Sequence, residues 1–178
     1  MFRNLRFYRV TSPWPESEEA LSEILSSNAF TPCGSFSERS GGWEALGNND
    51  DDPLCRRLNG ADLLQLRTQS RVLPAAAIKE ALEERVDEYR SRMKLEPNRA
   101  EIRRLKEETR DDLMPKALVK SERSRACFIH SESLLVIDVG TVTKAEWVIN
   151  QLRASFDQFY CTPLTFNNSP GDLLTGIF

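Results

Sequence analysis

Residues 73–125 read LPAAAIKEALEERVDEYRSRMKLEPNRAEIRRLKEETRDDLMPKALVKSERSR, and the rest of the chain is understood from them. Pro74 falls where a first helical turn tolerates it, because its missing N–H would have no intrahelical partner. From there Ile78, Leu82, Val86, Tyr89 and Met93 recur at steps of four and three, one apolar stripe along a helix of about 30 Å. Pro97 breaks the pattern and starts a second helix, whose sparser apolar face is Ile102, Leu105 and Leu113, and Pro115 ends it. Nearly every other position is charged, so the pair is expected to project from a body rather than lie inside it. The stretch predicts a helical-hairpin arm over 74–123, closed by the turn Leu113-Met-Pro-Lys-Ala-Leu118 and a short basic tail. Residues 1–73 and 124–178 are left to form the body.

Working outward, Leu5 and Phe7, joined by Arg9, alternate with Arg6, Tyr8 and Val10, a strand with some apolar character on both faces. Ser12-Pro-Trp-Pro15 is a rigid turn. Residues 16–28 predict a helix with acids in its first turn, Ala20, Leu21, Ile24 and Leu25 inward, and Asn28 ending it in the left-handed conformation. Residues 30–46 are turn-rich and predict a hairpin with Trp43 packed on the body; residues 47–53 predict a loop. Ala61–Arg67 is a strand leading to the arm. Arg125–His130 and Leu134–Val139, separated by Ser131-Glu-Ser133, make a second hairpin. Thr143 with Glu146 forms a capping box, opening a helix that buries Ala145, Val148, Ile149, Leu152 and Phe156. Cys161–Thr165 is an edge strand, and the tail from Asn167 is expected to be loose. This irregular mixture predicts an α+β fold: a small antiparallel sheet with packed helices and a protruding two-helix arm.

Composition narrows the function. Forty per cent hydrophobic residues suffice for a core, and 29% charged residues suit a soluble chain. Cys33, Cys55, Cys127 and Cys161 form no Cys-x-x-Cys pair, which fits reduced thiols in a cytoplasmic protein. Arginines interrupt the first residues every third position, unlike a signal peptide. The longest aliphatic run, Leu134-Leu-Val-Ile137, is far short of a membrane span. The single histidine, His130, stands three residues from Cys127, on the opposite face of a strand. The aspartates at 50–52 lack the alternating ligands and turning glycine of a hard-cation loop. Asp138 is the only acid at a plausible catalytic place, whereas nuclease chemistry needs clustered carboxylates. No catalytic residue, metal site or cofactor is assigned, and the chain reads as a non-enzyme.

Several stretches carry a family resemblance: Arg71-Val-Leu-Pro-Ala-Ala-Ala-Ile-Lys-Glu-Ala-Leu82, Leu105-Lys106 and Leu113-Met-Pro-Lys-Ala-Leu118 within the arm. Asn4-Leu-Arg-Phe-Tyr-Arg9, Phe30-Thr-Pro-Cys-Gly-Ser35 with Gly42-Trp43, and Thr143-Lys-Ala-Glu146 to Leu152-Arg153 extend it through the body. Together they resemble the bacterial recombination-associated protein RdgC family. The resemblance implies a nucleoid-associated, sequence-independent binder of double-stranded DNA that restrains RecA-dependent recombination, reaching RecA indirectly. It also implies a homodimer whose subunits meet near Leu113, Met114 and Leu118. Family members run longer at the C-terminal end, so an open dimer or a monomer is expected rather than a closed ring.

The net charge is −3, so DNA binding needs a local basic patch. Lys116, Lys120, Arg123 and Arg125 face one acid, Glu122, between Pro115 and His130; Arg67 and Arg71 precede the arm, and Lys79 lies in its first turn. Gathered on one side, these seven residues would track phosphates without reading bases. No aromatic residue interleaves them, which disfavours base stacking. The alternative function is a protein-interaction module that docks a recombination partner through the charged arm.

Overall fold

The computed structural model describes residues 3–47 and 52–165. In chain order these form β1 (Leu5–Val10), α1 (Glu18–Ser26), β2 (Arg39–Trp43), β3 (Cys55–Leu58), β4 (Ala61–Val72), α2 (Ala75–Met93), α3 (Arg99–Leu113), β5 (Leu118–Ile129), β6 (Leu134–Asp138), α4 (Val142–Ser155) and β7 (Cys161–Pro163). A 3-10 turn at Met114–Lys116 follows α3. The fold is α+β. The strands join in the order β2-β4-β5-β6-β1-β7, with β3 also on β4. The expected loop residues 48–51 and the tail from 166 lie outside the described residues.

The chain divides into two compact units. One comprises Met1–Ala29, Gly42–Arg67 and Arg123–Phe178; the other comprises Phe30–Gly41 and Thr68–Glu122. In the first unit, strand alternation places Tyr8, Val10, Leu64, Leu66, Phe128, Leu135 and Ile137 on one buried face. Against that core α1 buries Leu21 and Leu25, and α4 buries Ala145, Val148, Ile149 and Leu152. Each buried leucine, valine or isoleucine of this set contributes roughly 1.5–3 kcal/mol relative to exposure. Trp43 is buried as expected, and its Nε1 donates to Ser155 Oγ at 2.9 Å.

Local chemistry moves several boundaries. Ser17 caps α1 by accepting from the Ala20 N–H, and Ala20 itself is exposed rather than inward. The helix ends through a right-handed Ser27, and the Asn28 amide donates to the Ala154 carbonyl instead of turning the chain. Thr141, not Thr143, caps α4, because it is the last extended residue and its Oγ1 reaches the Lys144 N–H. The expected hairpin within 30–46 does not form: β2 is a single strand whose partner is β4. The hairpin instead joins β3 to β4 through Asn59 and Gly60, with φ of 49° and 79°. That pair of left-handed residues is what a two-residue turn demands. The expected basic tail is strand, since β5 begins at Leu118.

One buried acid ties this unit together. Asp62, 0% exposed, accepts from Arg57 Nε (2.6 Å) and Nη2 (2.8 Å) and from Trp14 Nε1 (2.7 Å), and lies 3.0 Å from His130 Nε2. Trp14 in turn stacks on Phe128 with ring centroids 4.0 Å apart. Burial pushes the Asp62 carboxyl up, but the bonds from Arg57 and Trp14 prevail and hold it below the usual range.

In the second unit α2 packs on α3 around Tyr89, Leu105 and Met114. Asn98 and Glu101 form a capping box at the start of α3, and the Tyr89 hydroxyl donates to Glu101 at 2.5 Å. Lys94 takes a left-handed conformation (φ 54°) and ends α2.

Asp62→Ala leaves Arg57 and Trp14 without their acceptor and is expected to cost about 3–5 kcal/mol, read as a lowered denaturant midpoint. Because the native carboxyl titrates below its unfolded value, its stabilisation is complete above the ordinary carboxylate range. It is lost as pH falls through the native value. Denaturant titrations from neutral to acid pH should therefore show a steeper acid loss in the parent chain than in Asp62→Ala.

Candidate nucleic-acid interface

The sheet of the first unit has a second face. On β1, β5 and β6 the pairing sets Leu5 opposite Asp138 and Asp138 opposite Arg125. It likewise sets Phe7 opposite Val136 and Val136 opposite Cys127. Arg125 Nε donates to Gln65 Oε1 at 3.3 Å, placing Gln65 of β4 on the same face, and alternation adds Leu63 and Arg67. Arg56 of β3 lies opposite Leu63. The result is a row of Leu63, Cys127, Val136 and Phe7, with Arg67, Arg123 and Arg125 grouped to one side of it. Arg56 and Arg9 stand on outer strands of the same face.

Among the described residues two acids share this face, and both are engaged. Glu44 accepts from Arg123 Nε (2.6 Å) and Nη2 (3.1 Å) and from Arg67 Nη1 (2.8 Å). Arg123 holds the Glu44 carboxyl below the usual range, partial burial works against it, and Arg67 adds to the lowering. One carboxylate thus serves two guanidinium groups. Asp138 accepts the backbone N–H groups of Arg3 and Asn4 at 2.9 and 2.8 Å, and the Asn4 bond is the main cause of its lowered titration. It is a strand-end anchor.

The seven cations singled out from sequence divide between the units. Arg67, Arg123 and Arg125 share the open face, while Arg71, Lys79, Lys116 and Lys120 belong to the second unit. Arg71 is turned to structural use. Its Nε donates to the Gly34 carbonyl (3.0 Å), its Nη1 to those of Met114, Pro115 and Ala117 (3.1, 3.2 and 3.3 Å), and its Nη2 to Cys33 (3.4 Å). Lys79 faces Glu83 at 3.6 Å and Lys120 faces Glu122 at 2.7 Å, both on exposed surface, where such pairs are worth little. Lys116 lies exposed in the 3-10 turn.

Arg9 and Arg56 also belong to this face and are not among the seven cations that charge placement in the sequence singles out; their parity with Phe7 and Leu58 is the local signal for them. Of the suggested contact residues, Leu118 is 81% exposed and Met114 only 5%, with Leu113 between. Leu118 is therefore the apolar side chain of the three that is offered to solvent.

Cys127 lies on the open face of β5, whereas His130, one residue past the end of the strand, turns to the buried Asp62, so the two side chains part as their spacing implies. Among the described residues, no three of His, Cys, Asp or Glu are grouped to hold a metal ion. Among them, too, no helix is long and apolar enough to cross a membrane.

Comparison with known proteins adds a lineage. The family model described as "Putative exonuclease, RdgC" matches residues 1–176. The chain is 32% identical over 174 residues to the recombination-associated protein RdgC of Tolumonas auensis, covering 98% of this chain and 58% of that protein. It is 32% identical to the same-named protein of a Janthinobacterium species and 31% identical to that of Halorhodospira halophila, covering 57% of each. The chain thus spans less than two thirds of the length of these relatives.

Glu44→Gln keeps the side-chain shape and removes the counterion shared by Arg67 and Arg123. The variant should elute from a heparin matrix at higher salt than the parent, with a log affinity–log salt slope steeper by about 0.9. An unchanged elution position would mean that these two arginines do not meet polyanions.

Proposed function

Because the chain belongs to the RdgC family, we propose that it is a non-enzymatic binder of duplex DNA, held through phosphates rather than bases, that restrains RecA-dependent recombination by occupying the DNA. The observation that carries this reading is the open sheet face, where, among the described residues, five arginines meet two acids, one of them spent on backbone amides. Guanidinium groups on a rigid sheet suit phosphate oxygens, which they bind bidentately. A surface of this kind positions the duplex without reading its sequence. Phe7, 36% exposed, is the one aromatic that β1, β5 and β6 bring to the face. A single-strand platform stacks successive bases on successive aromatics, so the duplex reading is preferred.

The family description names an exonuclease, whereas the relatives are named for recombination. Hydrolysis of a phosphodiester by metal ions calls for carboxylates converging on the metals. Asp62, Asp138 and Glu44 of the first unit are each engaged by structural donors. This supports binding over cleavage. Two subunits meeting at Leu118 would bury its exposed side chain and add a second DNA-holding face, nucleoid association following from that binding.

A labelled duplex titrated at several salt concentrations tests the reading. The logarithm of the association constant should fall linearly with the logarithm of salt, by about 0.9 per phosphate neutralised. Arg123→Glu and Arg125→Glu should each weaken binding by about tenfold or more while the circular dichroism spectrum stays unchanged. Undetectable binding, or affinity indifferent to salt, removes the proposal.

A further inference from the structure

The sheet of the first unit ends on β7, which pairs with β1 and leaves its other edge open. The Thr11 N–H bonds the Tyr160 carbonyl at 3.0 Å, and the Leu164 N–H bonds that of Phe7 at 2.9 Å. These are directly opposed residues, and bonded pairs alternate with unbonded ones along an antiparallel ladder. Arg9 and Thr162 are therefore the bonded pair between them, and Cys161 and Pro163 turn their main-chain groups outward. The outer edge so formed offers the Cys161 N–H and the carbonyls of Cys161 and Pro163. Among the described residues nothing takes them up.

Beside this edge, along the flank of α4, lies a groove of ≈ 360 Å³ lined in part by Tyr8, Glu146, Ile149, Arg153, Cys161 and Pro163. Tyr8 and Ile149, 7% and 4% exposed, form its floor. The Tyr8 hydroxyl has no hydrogen-bond partner among the described residues, and burial pushes its titration up, so it remains a donor at neutral pH. Glu146 lies toward Tyr8 and the residue opposite it, Pro163, whereas Arg153 lies toward Cys161. About 10 Å of helix separates the two charges. Arg153 Nη1 donates to Asn150 Oδ1 at 3.2 Å, and among the described residues neither charge has an ion-pair partner.

We propose that β7 accepts an extended segment of a partner protein as one more antiparallel strand, basic at its N-terminal end, apolar at its centre and acidic at its C-terminal end. The form follows from the edge: main-chain donors and acceptors are matched by another main chain. An antiparallel neighbour exchanges two bonds with Cys161 and gives one N–H to the Pro163 carbonyl. The direction follows from the charges. β7 runs from the Arg153 end of the groove to the Glu146 end, so its neighbour starts at Glu146 and finishes at Arg153. Side chains at i, i+2 and i+4 of that neighbour share the face of Cys161 and Pro163 and span about 13 Å. A lysine at i then meets Glu146, a valine at i+2 covers Tyr8 and Ile149, and a glutamate at i+4 meets Arg153. The inference does not depend on duplex binding, which is assigned to the opposite face of the sheet.

The test uses the full chain and fluorescein-labelled, end-capped peptides read by fluorescence anisotropy. A peptide carrying Lys-Thr-Val-Thr-Glu should bind saturably, and one carrying Glu-Thr-Val-Thr-Lys should bind about tenfold more weakly or not at all. Methylating the valine nitrogen removes the N–H aimed at β7 and should weaken binding by about tenfold. Methylating the nitrogen of either threonine, whose main chain faces away, should not. Exchanging the two helix charges in one chain, Glu146→Arg with Arg153→Glu, should reverse the preference between the peptides while the circular dichroism spectrum stays unchanged, since both side chains are exposed. Failure of the first peptide to bind, equal binding of both orders, or indifference to valine methylation overturns the proposal. So does loss of duplex affinity in Arg153→Glu, which assigns the groove to nucleic acid, or self-association abolished by that substitution, which assigns the edge to a second copy.

Discussion

The antiparallel pairing of β4 with β5 is the constraint on which the rest of this structure hangs. Both strands are twelve residues long, and in such a pair the face of every side chain follows from its position. The register that sends Leu64, Leu66, Ala126 and Phe128 into the core sends Arg67, Arg123 and Arg125 to the opposite face. A slip of one residue would bury the arginines and expose the core. The core and the basic surface are therefore one decision. The hydrophobic energy of burying one face fixes the other, although arginines side by side repel one another.

That repulsion is managed by a single carboxylate. Glu44 follows β2 and reaches both Arg67 and Arg123 because its N–H bonds the Gln65 carbonyl, which brings it alongside β4. The arrangement orients the two guanidiniums on one shared carboxylate. A chain of net charge −3 thereby presents a positive face without any excess of lysine and arginine overall. Bulk charge was a poor guide because the acids are concentrated elsewhere, on α2 and α3, where i,i+3 and i,i+4 pairs such as Arg90–Asp87 and Arg104–Glu108 use them locally.

Arg71 shows the opposite use of a cation. Its guanidinium gathers carbonyls from Cys33, Gly34 and the turn after α3. These carbonyls belong to segments with no regular partner, and a five-donor fork can satisfy several of them where a lysine could not. A residue that family resemblance and charge both marked for DNA is thus occupied in holding the second unit together. Position in a basic stretch says nothing about which acceptor a side chain will find.

The sequence by itself determined the helical pair over 75–113, the β5–β6 hairpin, the buried face of α4 and the family, because each is written in short-range periodicity or in matched residues. The breaks at Pro97 and Pro115 were legible for the same reason: proline lacks the donor a helix interior needs. The Asn59-Gly60 turn is an equally local signal, and it carries β3 and Arg56 with it. Only the tertiary structure decided which strand β2 would join, that Asp62 would be the buried acceptor for Arg57 and Trp14, and which cations would share a face. Those outcomes depend on residues 48 positions apart for Trp14 and Asp62 and 79 apart for Glu44 and Arg123. Pairing at such separations is set by the burial of the whole sheet, and no local pattern encodes it.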